Sequence, residues 1–142
     1  MKKQKLYRGR LIDHVHLVTR ELSASKRFYE AVLSALGIAI GGAAEDYFWA
    51  DELFVSDVNS KSAAGKVTGR VHLAFQAESR DQVEKFYRAG LEAGGTPNGE
   101  PGERPYHPGY FAAFLLDPDG NNIEAVFHGV AKRSAPAVEL EI

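Results

Sequence analysis

The chain aligns with itself. Shifted by 58 positions, residues 14–37 (HVHLVTRELSASKRFYEAVLSALG) match residues 72–95 (HLAFQAESRDQVEKFYRAGLEAGG) without a gap. Seven pairs are identical: His14/His72, Phe28/Phe86, Tyr29/Tyr87, Ala31/Ala89, Leu33/Leu91, Ala35/Ala93 and Gly37/Gly95. Two unrelated amphipathic helices can share Phe, Ala and Leu by chance. They do not readily share histidines and glycines in the same frame. A repeat of this kind marks one supersecondary unit used twice, so the fold must be assembled from two similar halves.

Each copy reads as a strand followed by a helix. Residues 11–19 and 71–77 are rich in branched apolar residues and alternate in polarity, which predicts strands. The first helix is expected to start at Ser23 as N-cap. It buries Phe28, Ala31, Val32, Ala35 and Leu36 at helical spacing and stops at Gly37. The second opens on residues 79–82 (SRDQ), a capping box, buries Val83, Phe86, Tyr87 and Leu91, and ends at Gly94 and Gly95. Further strands are expected at 38–40, 47–55, 110–116 and 121–127. The last two are joined by Asp117-Pro118-Asp119-Gly120, which suits a type I turn. Residues 96–108 hold four prolines and read as a long irregular loop, a kind that is often functional. The end of the chain reads as a frayed tail or an added edge strand. This order predicts an α+β fold in a single domain of 142 residues. Module one spans about 10–57, a linker about 58–68, module two about 69–129 and a tail 130–142.

Charge and composition narrow the function. The 17 basic and 19 acidic residues leave a net charge of -2, with no basic surplus to neutralise phosphates, so no nucleic-acid partner is expected. Without cysteine there is no disulfide, zinc-thiolate site or thiol nucleophile. The basic start, Met1-Lys2-Lys3-Gln4-Lys5, is similar to the first part of a signal peptide, but Arg8, Arg10 and Asp13 arrive before any apolar core. No apolar stretch approaches the roughly 20 residues of a membrane span. A cytoplasmic protein with no membrane partner is expected.

Strand parity then gathers the chemistry. In the first strand His14, His16 and Val18 oppose Val15 and Leu17. In its repeat Arg70, His72, Ala74 and Gln76 oppose Val71, Leu73 and Phe75. In the last strand Asn122, Glu124, Val126 and His128 oppose Ile123, Ala125 and Phe127. The helices need the apolar, odd-numbered face. The even-numbered residues are left to line the trough of a curled mixed sheet. There His14, His72 and Glu124 suit a divalent ion, as in the facial arrangement used by non-haem iron, and also manganese, nickel, cobalt or zinc. Open positions would let a substrate oxygen bind the ion as a Lewis acid. A lone strand histidine is more simply a hydrogen-bonded polar residue; the duplication and the carboxylate give the metal reading its weight. A buried carboxylate without a cation is costly, so Glu124 calls for a metal or for a neighbour such as Arg70.

Ile12-Asp13-His14-Val15, residues 25–29 (SKRFY), Gly37, His72-Leu73-Ala74-Phe75 and residues 117–124 (DPDGNNIE) resemble the vicinal oxygen chelate superfamily. This is the group of glyoxalase I, extradiol dioxygenases, fosfomycin resistance transferases and bleomycin-binding proteins. The resemblance spans roughly residues 10–128, and residues 101–110 (PGERPYHPGY) resemble a bacterial glyoxalase-like subgroup. It implies two βαβββ modules with helices outside and a metal trough between. Its ligands would come from the first and last strands of each module: His14, His72 and Glu124, with Glu52 or Asp51 as candidates for the fourth place. It implies a lyase or isomerase in which a divalent ion (zinc, nickel, manganese, cobalt or iron) holds adjacent oxygens of a small substrate and stabilises an enediolate. Glu124 would then stand at the reacting centre, and the base would be a carboxylate such as Glu52 or a metal-bound hydroxide. Iron(II) ring cleavage and antibiotic binding without chemistry are the alternatives. His16, Arg70, Gln76, Arg104, Tyr106, His107 and Tyr110 are candidate substrate contacts, while Phe48 and Trp49 read as core. A homodimer is the implied form, with the site closed within one chain or across two.

Overall fold

The computed structural model describes residues 5–142, so most of the basic start lies outside the described residues. The first strand, β1 (Lys5–Arg8), stands outside the repeat. Module one then runs β2 (Val15–Thr19), α1 (Leu22–Ala35), β3 (Gly42–Ala43), β4 (Tyr47–Ala50) and β5 (Leu53–Asp57). Module two repeats the order as β6 (His72–Gln76), α2 (Arg80–Glu92), β7 (Thr96–Glu103), β8 (Phe111–Leu116) and β9 (Asn122–Phe127). Two four-stranded mixed sheets result, ordered β2-β5-β4-β3 and β6-β9-β8-β7. The outer pairs β2/β5 and β6/β9 are parallel and the rest antiparallel. The α+β class and the two similar modules are as expected. The last strand, β10 (Val138–Glu141), joins neither sheet but pairs antiparallel with β1, so the tail is half of a separate two-stranded ribbon.

Several boundaries differ from the sequence expectation, each for a physical reason. The first strand begins at Val15, whose N–H donates to the Glu52 carbonyl at 2.7 Å; residues 9–12 form a turn instead, closed by Gly9 N–H on the Ile12 carbonyl at 3.1 Å. Helix α1 starts a residue before Ser23, with Glu21 as N-cap and no side-chain cap. Residues 38–40 are not a strand: the Ile38 N–H caps α1 on Leu33, and Ile38 and Ile40 are apolar because they pack on the core. Residues 47–55 are not one strand but a hairpin, reversed at Asp51, which adopts φ 46°; aspartate is among the few side chains that visit that region. Residues 96–103 form a strand rather than an irregular loop. Its prolines are tolerated because β7 is an edge strand with register shifts around Gly99. Helix α2 does carry its cap: Ser79 Oγ accepts from the Gln82 N–H at 3.1 Å, while Gln82 Oε1 reaches back to the Glu78 N–H at 2.8 Å.

One apolar cluster runs through both modules. Leu17, Phe28, Tyr29, Val32, Phe48 and Val55 pack with Val83, Phe86, Ala113, Leu115, Ile123 and Ala125. Helices α1 and α2 meet at Gly90, where a Cβ would stand 2.2 Å from Leu115 Cδ1 and 2.9 Å from Val32 Cγ1. The 117–120 turn adds a polar latch. Gly120 N–H closes the turn on the Asp117 carbonyl at 3.0 Å. The buried Asp117 carboxylate accepts from Tyr29 Oη at 2.6 Å and from Asn121 Nδ2 at 2.9 Å, and the Thr19 hydroxyl donates to Asp119. Burial, then the Asp117 charge and hydrogen bond, push the Tyr29 phenol well above its ordinary pKa.

Candidate functional site

The odd-numbered residues of β2, β6 and β9 do turn to the core: Leu17, Ile123 and Ala125 are buried in it, and Leu73 and Phe75, partly buried, pack against it. Alternation therefore turns His16, His72, Gln76 and Glu124 to the opposite faces of their sheets. On module two that face holds a connected set. The Glu124 side chain is 2% exposed, and His72, 53% exposed, lies above it with Nε2 2.8 Å from Oε1. The Tyr110 hydroxyl donates to Oε2. Both oxygens of the buried carboxylate are thus satisfied, and Arg70 is not among its partners. Burial, then the hydrogen bond to Glu124, raise Tyr110 to about 12. The phenol is a donor, never a phenolate, at neutral pH.

Around this set lie residues from β8 and the 104–110 loop. The Phe114 ring is 5.9 Å from that of His72, and the Arg104 guanidinium lies 5.3 Å from the Phe114 centroid. Carbonyls of Glu100 and Glu103 hold Arg104 at 2.7 and 3.3 Å. Tyr106 is exposed and packs edge-on against Tyr110 at 4.9 Å. His107 bonds to His128, a residue that parity put on this face without a role. Phe114 was not singled out in the sequence, although it stands two residues from Ala112 in the same alternation.

Module one presents a different face. His16 Nε2 lies 2.6 Å from the buried Ser56 Oγ and its ring stands edge-on to Phe54 at 4.8 Å. Partial burial, then the neighbouring charge of His14, lower the His16 pKa. Tyr47 stacks on Phe54 at 5.2 Å. Trp49 lies across Gly41 and Gly42, where any Cβ would stand within 2.6 Å of its ring. Trp49 is therefore half-buried on the open face rather than in the core, whereas Phe48 is core as expected.

The register decides what stands opposite Glu124. Glu124 pairs with Ala74, two residues after His72; the equivalent of Ala74 is His16, and His16 pairs with Phe54. The place that resembles a fourth ligand is therefore occupied by Phe54. Glu52 lies one step before the ladder, opposite His14, where module two has Asn122. His14 itself precedes β2, is 64% exposed, and bonds through Nδ1 to Asp13 at 2.7 Å. That bond, with Arg8 nearby, holds the Asp13 carboxyl below its ordinary pKa. Among the described residues no three histidine, aspartate or glutamate side chains gather closely enough to hold a metal. His72 and Glu124 come together as expected; His14 does not join them.

A family model described as the glyoxalase/bleomycin resistance protein/dioxygenase superfamily matches residues 11–125, most of the chain. The chain belongs to that superfamily. Among solved structures of the superfamily's fold, a glyoxalase/bleomycin resistance protein from Albidiferax ferrireducens is 32% identical with a TM-score of 0.66. The match covers 82% of this chain and 97% of that one. A glyoxalase-related enzyme from Fulvimarina pelagi matches at 20% identity and TM-score 0.67, over 92% and 97% of the two chains. A lactoylglutathione lyase from Agrobacterium tumefaciens matches at 18% and 0.60, over 82% and 92%. Among curated proteins none matches. No helix of the described residues is long and apolar enough to cross a membrane.

Proposed function

We propose that this superfamily member is a glyoxalase-type lyase or isomerase acting on a small substrate with two adjacent oxygens, its reacting centre on the open face of module two. The observation that carries the reading is the chain Tyr110–Glu124–His72: a buried carboxylate held from below by a phenol and met from above by an exposed imidazole. Such a carboxylate is costly to bury without function or cation.

A divalent ion of the zinc, nickel, manganese, cobalt or iron group fits this pair in part. His72 Nε2 and Glu124 Oε1, 2.8 Å apart, are an imidazole nitrogen and a carboxylate oxygen, the donor types such ions take. Phe54 at the counterpart position of Glu124 supports a set of three, His14, His72 and Glu124, without a fourth carboxylate. His14 would have to leave Asp13, an exposed contact of low cost, and come from the same chain or from a second copy in a homodimer. A bound ion would supply Lewis-acid stabilisation of charge developing on the substrate oxygens. The residues do the rest. Tyr110 keeps the Glu124 carboxylate oriented. His72 would offer Nε2 to the ion. Arg104, over the Phe114 ring, and Gln76, on the same strand face as His72, are the candidate substrate contacts, and Glu52, opposite His14, is the candidate base.

The test is proton exchange at the carbon next to the carbonyl of hydroxy-ketone substrates, followed in deuterium oxide with each ion. His72→Ala and Glu124→Gln are expected to lower the rate by orders of magnitude. A rate untouched by either change ends the proposal. Phe54 favours a second reading, in which the Tyr47–Phe54–Trp49 face binds an apolar small molecule without turning it over. Trp49 is the only tryptophan, so saturable quenching of its fluorescence with no metal-dependent rise in Tm and no exchange would support that reading instead.

A further inference from the structure

Resting on the lyase reading above, we infer that the substrate carries an oxyanion, a carboxylate or a phosphate, at the end remote from its adjacent oxygens, and that Arg104 binds it. The placement follows from the sheet. Gly99 pairs with Phe114, and Phe114 with Glu124; paired residues point to the same face. Glycine leaves the outer end of that row without a side chain. The Arg104 guanidinium fills the gap. A Cβ on Gly99 would stand 3.3 Å from Nη2, and one on Gly102 would stand 3.1 Å from Nη1. The guanidinium lies 5.3 Å from the centre of the Phe114 ring, and that ring lies 5.9 Å from His72. Phe114 thus forms a floor between a cation and the His72–Glu124 pair, two strand spacings or about 10 Å across.

The guanidinium is fixed in place while its charge is left uncompensated. The carbonyls of Glu100 and Glu103 accept from it at 2.7 and 3.3 Å, and the ring beneath adds a cation–π contact. The backbone N–H of Arg104 donates to the Tyr110 carbonyl at 2.9 Å. The neck of the loop therefore ties Arg104 to the residue whose hydroxyl bonds Glu124. Among the described residues no carboxylate pairs with Arg104, and that of Glu103 is taken by Arg80 at 2.6 Å. Nε and one hydrogen on each terminal nitrogen are left without a partner among the described residues. A half-buried guanidinium anchored only by neutral acceptors presents the planar fork that matches a carboxylate or phosphate. A role confined to bracing the irregular β7 edge would be indifferent to the charge of the substrate.

Charge preference and reaction are measured separately. Proton exchange in deuterium oxide is followed with a hydroxy-ketone bearing a carboxylate, with its phosphate analogue and with the methyl ester of the carboxylate. The Arg104 Nε–H resonance of the isotope-labelled full chain is followed as the same compounds are added without an ion. The wild type is expected to favour an anionic compound over the ester at least about tenfold in kcat/KM, the loss of one charge-assisted hydrogen bond. Arg104→Gln should erase that preference, raising KM for the anion far more than for the ester, and Arg104→Lys should restore it in part. The anion, and not the ester, should shift the Nε–H resonance; the stronger of carboxylate and phosphate identifies the group. Equal use of ester and anions by the wild type, or an equal loss for both in Arg104→Gln, would overturn the assignment and leave the lyase reading standing. No exchange with any compound, while the anion still shifts Nε–H, would remove the lyase reading and keep the anion site. Neither exchange nor shift removes both.

Discussion

At the scale of single residues, the chemistry of this chain is set by what satisfies Glu124. The phenol of Tyr110 and the imidazole of His72 take one oxygen each. Tyr110→Phe leaves a buried oxygen short of a donor and is expected to cost about 1–3 kcal/mol in urea denaturation. Tyrosine also sets the alkaline limit. Folding raises Tyr110 to about 12 and pushes Tyr29 well up, so the folded chain holds protons that the unfolded chain releases from about pH 10. Stability is then full below pH 10 and falls as pH rises towards 12. Thermal melts between pH 8 and 11 should show that decline, with a shallower slope in Tyr29→Phe; a flat profile would contradict it. Phe54 marks the other residue-level difference. Since Phe54 is the positional counterpart of Glu124, Phe54→Glu is expected to tighten Ni²⁺ or Zn²⁺ binding at least about tenfold if a shared site forms; isothermal titration reads it.

At the scale of elements, the helices were legible because their signals are local: a 3.6-residue stripe, the Ser79 cap and the stops near Gly37 and Gly94. The strands were less so. Residues 38–40 are apolar to cover the core, not to join a ladder, and periodicity cannot separate the two over three residues. The reversal at Asp51 lacks a glycine, and the prolines of β7 mimic a loop because an edge strand tolerates them. Helix packing carries its own expectation. Alanine at position 90 gains about 1 kcal/mol of helix propensity, but its Cβ would collide with Leu115 and Val32. Overpacking typically costs about 1–3 kcal/mol, so Gly90→Ala should be neutral to destabilising in denaturant unfolding, the reverse of the usual helical gain.

At the scale of the whole molecule, the repeat is the plan, and the shared apolar cluster and the polar latch join its halves. Tyr29, Thr19, Asp117 and Asp119 cross between modules. The β1–β10 ribbon is peripheral by comparison: all four residues of β10 are exposed. Removing residues 130–142 is expected to shift Tm by no more than about 4 °C, which a scanning melt would check. The sequence alone determined that two strand–helix units recur, which faces are apolar, and that His72 and Glu124 share a side, because alternation and helical period are short-range properties of a chain. Only the tertiary structure decided that Phe54 faces the place of a fourth ligand. The 58-residue offset relates His14 to His72, but insertions in module two separate Phe54 from Glu124 by more, so their equivalence exists only in the strand ladders. It likewise decided that His14 turns away to Asp13 and that Gly109 and Gly129 bring His107 to His128. The Phe54 and His107–His128 placements join residues distant along the chain, and no local pattern encodes how a ladder is registered or a loop is seated.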